Sequence, residues 1–166
     1  MVMTVAKLSV EDLVGDRSPG RLLRRINRLM MRQIEARFAA SDLPFEAWIS
    51  LKMLHDGMVT TAGDLSREIG IATGATTRLI DCLETRGLVA RDRTSTDRRV
   101  VRLALTNAGE AKYYEKLPMM LSAWNEILED FEDAEVRQMI ALLKKLLASF
   151  AARCEKPAKA DVELVD

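Results

Sequence analysis

Apolar positions recur along this chain in two rhythms, one helical and one extended. From residue 20 onward, Leu22, Ile26, Leu29, Met30, Ile34 and Phe38 return at steps of three and four. That period places them on one stripe of a helix. The other faces carry Arg21, Arg24, Arg25, Arg28, Arg32 and Arg37. They read either as a solvated helix face or as contacts to DNA phosphate or a ligand. Asp42-Leu43-Pro44 interrupts the helix, and Pro44 suits the first turn of the next, where a missing N–H costs nothing. That second helix passes through Phe45, Trp48, Ile49, Leu51, Lys52 and Leu54 to a stop at Asp56-Gly57.

The stretch TTAGDLSREIGIATGATTRLIDCLETRGLV holds two shorter helices. Thr61, with Asp64 three residues on, opens a capping box. Ala62, Leu65 and Ile69 form the apolar face of a helix of about two turns. Gly70-Ile71-Ala72 makes a tight turn, and Thr73 is expected to cap the following helix. In that helix Thr76, Leu79, Ile80 and Leu83 share a face, and Gly87 ends it. Two short helices about a Gly-containing turn make a helix-turn-helix.

The rhythm then changes. Leu88 to Ala90 and Val100 to Leu105 read as strands, the second with Val101, Leu103 and Leu105 alternating with Arg102 and Ala104. Thr106 caps a long helix through Tyr113, Leu117, Leu121, Trp124, Leu128 and Phe131, in which Pro118 predicts a kink. Asp133 is placed as the cap of a last helix bearing Val136, Met139, Ile140, Leu143, Leu146, Leu147 and Phe150. The expected fold class is mainly α with a small β-hairpin wing: a winged helix-turn-helix with long N- and C-terminal dimerisation helices. Its parts are a flexible arm over 1–19, supporting and dimerisation helices over 20–58 and a DNA-binding lobe over 59–106. Dimerisation helices over 107–154 and a disordered tail over 155–166 complete it.

Charge sharpens this picture. The 166 residues carry 25 basic and 25 acidic side chains, so no global field draws the protein to nucleic acid. Yet Arg91, Arg93, Arg98, Arg99 and Arg102 crowd one hairpin, while Glu126, Glu129, Asp130, Glu132, Asp133 and Glu135 sit far along the chain. A major groove accepts one α-helix. An arginine-tipped hairpin beside it reaches the narrow, negative minor groove. If Thr76, Leu79, Ile80 and Leu83 pack inward, then Gly74 and Arg78 face outward with Thr77 beside them. Thr73 and Ala75 are neighbours at the same helix end, where backbone N–H groups favour phosphate. Asp81 has the wrong charge for phosphate and is expected to pair with an arginine. Arg91, Arg93 and Arg102 are read as phosphate contacts or solvated charges.

GIATGATTRLIDCLETRGLVAR followed by DRRVVRLALTNAG resembles the MarR family of bacterial transcription regulators. The matching positions are Gly70, Thr77-Arg78, Arg86-Gly87-Leu88-Val89, Asp97-Arg98-Arg99 and Leu105-Thr106-Asn107-Ala108-Gly109. The resemblance implies a homodimer whose first and last two helices interleave, on a pseudo-palindromic double-stranded operator. It implies that Asp97 braces a neighbouring arginine, so that Arg98 and Arg99 meet DNA. It also implies a repressor released by a small aromatic or phenolic ligand, in a crevice lined by Trp48, Lys52, His55, Met30 and Tyr113. Core packing is the competing reading for Trp48, and a capping or surface role for His55, the one histidine.

Other classes fit less well. No nucleophile–His–acid set, phosphate loop or carboxylate pair points to an enzyme, and no cofactor or metal spacing stands out. Cys82 and Cys154 lie far apart. Cys82 stands where relatives often carry a basic residue, which leaves a redox-responsive regulator as an alternative. A winged-helix dimer that binds proteins or ligands without DNA is another. No stretch reaches the roughly 18 apolar residues of a membrane span. A cytoplasmic location is therefore expected.

Overall fold

The computed structural model describes residues 8–92 and 101–154. By internal contacts the chain divides into two units, Met1–Ala123 and Trp124–Asp166.

In the first unit, short 3-10 turns at Glu11–Leu13 and Gly15–Arg17 precede α1, Pro19–Phe38. Ser18 caps α1 by accepting from the Arg21 N–H, with Pro19 at the first helical position. Helix α2 spans Phe45–His55, with Pro44 at its N-cap rather than in its first turn. The Pro44 carbonyl accepts from the Trp48 N–H at 3.0 Å, so proline fixes the entry without lacking a needed donor. Helices α3, Ala62–Ile69, and α4, Thr73–Thr85, follow. Thr61 caps α3 through a complete capping box with Asp64, and Gly70 ends it at φ 75°. That left-handed conformation is one that glycine adopts at no steric cost.

The expected cap at Thr73 is corrected. The N-cap of α4 is Ala72, without a side-chain bond, and Thr73 is the first helical residue. Strands β1, Val89–Asp92, and β2, Arg102–Leu105, pair antiparallel with Val89 opposite Leu105 and Arg91 opposite Leu103. The Leu103 N–H also donates to the Thr60 carbonyl at 2.8 Å, and Arg102 bridges Thr61. The hairpin is thereby sewn to the entrance of α3.

The core of this unit gathers one contribution from nearly every element: Ile34 and Phe38, Leu43, Trp48 and Leu51, Leu65, Ile80 and Leu83, Val89, Leu103 and Tyr113. All are buried. Helix α5, Asn107–Ile127, begins in this unit, and α6, Asp133–Cys154, lies in the second. Pro118 lies inside α5. Asp133 opens α6 as its first residue instead of capping it, and the Glu132 N–H donates to the Glu135 carboxylate at 2.9 Å. Helix α6 contains no buried residue.

The start of α5 explains the Leu-Thr-x-x-Gly run. Thr106 Oγ1 accepts from the Gly109 N–H at 3.0 Å and donates to the Gly87 carbonyl at 2.6 Å. A Cβ on Gly109 would stand 1.9 Å from the Leu88 carbonyl oxygen, so only glycine lets α5 approach the base of β1.

Candidate nucleic-acid interface

Helix α4 separates its faces cleanly. Thr76, Ile80 and Leu83 are buried, and Leu79 is half-buried. Thr73, Gly74, Thr77 and Arg78 are exposed, and Ala75 is half-buried at the edge. Thr77 Oγ1 donates to the Thr73 carbonyl at 3.0 Å, which leaves its lone pairs outward as acceptors. A Cβ on Gly74 would meet nothing within 4 Å, so no internal contact demands glycine there. Its effect is to keep the first turn of α4 flat. The N–H groups of Thr73 and Gly74 lie on the same exposed end without a partner among the described residues, while the Ala75 N–H turns back to the Ala72 carbonyl at 2.9 Å.

The back of α4 is clamped by Arg91. Its guanidinium donates to Asp81 at 2.6 Å and to Glu84 at 2.5 Å. Both bonds, Asp81 first, hold the guanidinium more firmly protonated than usual. Asp81 thus takes the arginine partner expected of it. The reading of Arg91 as a phosphate contact or solvated charge is corrected, since its side chain is only 18% exposed. The pleat is the reason. Arg91 faces the same side of the hairpin as Val89, Leu103 and Leu105, toward α4, whereas Arg102 faces out. Sequence reasoning missed Glu84 and Arg91 as positioning residues. Their signal was an acid pair at i and i+3 followed by an inward-phased arginine.

A second brace holds the far end of α4. The Asp42 carboxylate accepts from Lys112 at 2.6 Å and Lys116 at 2.8 Å, with the Arg86 guanidinium 3.6 Å away. Lys112 and Lys116 hold Asp42 far below the ordinary carboxylate range. The loop after α1, the C-cap of α4 and α5 therefore converge on one carboxylate.

The wing residues Asp97, Arg98 and Arg99, with Arg93, lie outside the described residues.

Of the five proposed ligand residues, the structure brings three into one stack. Trp48 and Tyr113 stack with ring centroids 5.9 Å apart, and the Trp48 indole N–H donates to the Tyr113 carbonyl at 3.2 Å. His55 stacks on Tyr113 at 4.5 Å. Its Nε2 lies 3.4 Å from the Tyr114 hydroxyl, and its Nδ1 lies 3.9 Å from Glu110. Tyr114 and Glu110 were not foreseen. Lys52 turns to Asp56, and Met30 packs against the core from α1. Cys82 is exposed.

Residues 48–101 match the family model of the MarR family. Among solved structures, a MarR-family transcriptional regulator from Silicibacter pomeroyi is 24% identical. It has a TM-score of 0.73, over 84% of this chain and 91% of that one. A cysteine-to-serine mutant of E. coli MarR complexed with operator DNA is 25% identical, at a TM-score of 0.63 over 77% of this chain and 92% of that one. BpsR of Bordetella bronchiseptica, a structure described as the mechanism by which 6-hydroxynicotinic acid regulates its DNA binding, is 25% identical. Its TM-score is 0.64, over 77% of this chain and 91% of that one. The segment that matches the MarR family model is thus the winged-helix part of this chain, and the solved structures that the chain resembles over most of its length are MarR-family regulators. The winged helix of this chain is the α3–α4 pair with the β1–β2 hairpin. Among the described residues no helix is long and apolar enough to cross a membrane.

Proposed function

We propose that this protein is a homodimeric repressor that binds a pseudo-palindromic double-stranded operator and is released by a small hydroxylated aromatic acid. The observation that carries the DNA reading is α4. Its N-terminal end shows Thr73, Gly74, Thr77 and Arg78 to solvent, while Thr76, Ile80 and Leu83 anchor its back. An exposed, rigid helix end of this kind fits a major groove. Thr73, Gly74, Ala75, Thr77 and Arg78 contact bases and phosphates there, and Asp97, Arg98 and Arg99 supply the wing. The E. coli relative held on operator DNA supports this reading. The dimer reading is supported by α6, which has no buried residue although Leu142, Leu143, Leu146, Leu147 and Phe150 are apolar.

The effector reading is supported by the aromatic stack of Trp48, His55 and Tyr113, with Tyr114 at its edge, and by the aromatic acid that regulates BpsR. Fluorescence anisotropy on DNA from the protein's own promoter region tests the first claim. Affinity should fall by about 0.9 log units per phosphate contact for each log unit of salt. A flat salt response refutes DNA binding by this surface. A thermal-shift series with hydroxylated aromatic acids tests the second, and no shift with any member refutes the effector.

A further inference from the structure

Helix α1 carries two stripes that the winged helix does not use. Successive helical residues lie 100° apart, so Arg21, Arg25, Arg28 and Arg32 fall on one line along the helix. The chain holds these side chains weakly. Arg21 and Arg25 stand 3.9 and 4.0 Å from Asp16, at the limit of an ion pair. Arg28 and Arg32 have no ion pair to a described residue. A cavity of about 660 Å³ opens among Arg21, Arg24, Arg25, Asn27 and Arg28. Beside this line, about a quarter turn around the helix, run Leu22, Ile26 and Leu29, which are 40%, 58% and 48% exposed. Ile34 and Phe38 are buried on a third face, so this leucine stripe is not the one that packs on the core.

A polyanion alone would leave those leucines in water. A partner that covers both stripes must be acidic and apolar at once. The end of α5 and the turn into α6 have that character. Glu129 and Asp130 stand between Ile127, 43% exposed, and Phe131, 47% exposed, and Glu132 follows directly. No described residue pairs with the side chains of Glu129 and Asp130.

We propose that the arginine face of α1 is an electrostatic clamp that takes the acidic turn, residues 126–135, of a second copy of this chain. The proposal rests on the homodimer reading and adds to it where the charge complementarity lies. It also accounts for a net charge of zero: opposite charges are segregated along the chain so that they meet between copies. The dimer is thereby sensitive to ionic strength, since the clamp is exposed at its rim.

The test is a charge swap read by analytical ultracentrifugation. One variant carries Arg21→Glu, Arg25→Glu and Arg28→Glu; the other carries Glu129→Lys, Asp130→Lys and Glu132→Lys. Each alone should weaken self-association at least about 100-fold, because like charges then face each other at both clamps. Mixed one to one, they should form a heterodimer of wild-type strength, since both clamps regain opposite charges. Glutamate keeps the helix propensity of α1, and circular dichroism checks the fold. A milder Arg→Gln triple provides the control if the reversal unfolds, and its association should lose much of the salt dependence of the wild type.

Wild-type self-association in either variant overturns the clamp while leaving the dimer standing. A monomeric wild type overturns the dimer reading beneath it. Weakened variants that fail to rescue each other place the contact within one chain, which also overturns the proposal. An arginine variant that dimerises normally but loses affinity for operator makes α1 a DNA surface instead.

Discussion

Helix α4 and helix α6 both space apolar residues by threes and fours, yet α4 hides Thr76, Ile80 and Leu83 and α6 hides none. The shorter helix, of 13 residues, is surrounded by its own lobe, with α3 before it and the hairpin after it. The longer, of 22 residues, leaves Leu143 47% and Leu147 71% exposed. Periodicity states that a face will be covered, and it is silent on which surface covers it. For α4 the cover is local and comes within one unit. For α6 the cover is assigned here to a second copy.

Truncating the α4 side should give the largest effect. Leu83→Ala or Ile80→Ala removes fully buried volume and should destabilise the lobe by about 2–5 kcal/mol. Chemical denaturation measures this, and a cost near zero would deny that these residues form the core. Gly109→Ala tests the same lobe from α5. Its Cβ has no room beside the Leu88 carbonyl, so a loss of about 1–3 kcal/mol is expected from overpacking. By contrast, Leu143→Asp and Leu147→Asp in α6 should leave the winged helix folded and turn a dimer into a monomer. Size-exclusion chromatography with light scattering reads the change, and an unaltered dimer would break the comparison.

Smaller effects concern the exposed face and its brace. Arg78→Ala should cost about 1–3 kcal/mol of operator affinity without moving the melting temperature. Arg91→Met should instead weaken both by about 1 kcal/mol or more, because Asp81 and Glu84 lose the cation between them. Equal behaviour of the two variants would erase the distinction between a contacting and a positioning arginine.

The smallest effect is a pH dependence at the cap of α3. Thr61 above all, then Thr60 and Arg67, holds the Asp64 carboxyl below its usual 3.8. A depressed folded pKa means the contribution is full above the unfolded value and is lost as pH falls through it toward the folded one. Asp64→Asn should therefore destabilise at neutral pH and lose this acid-side dependence. A wild-type-like acid profile in the variant would remove Asp64 from the account.

What was legible in the sequence was mostly local. Thr61 and Asp64 make a capping box because both partners lie within four residues, and Thr106 caps α5 for the same reason. Thr73 misled because a threonine before an apolar run looks like a cap, whereas the chain enters the helix one residue earlier at Ala72. The outward end of α4 was readable from phase alone, since Thr76 and Ile80 fix what Gly74 and Arg78 cannot face. Arg91 was not readable as a brace, because composition grouped it with the wing arginines.

By itself, then, the sequence determined the helix-turn-helix, the hairpin and the segregation of charge, since caps, breakers and periods act over a few residues. The tertiary structure alone decided that Asp42 gathers Arg86, Lys112 and Lys116, that Gly109 must be small, and that Arg91 turns inward. Each of these depends on elements distant in sequence meeting at atomic distance. No local rule specifies that meeting, because packing of the whole core sets it.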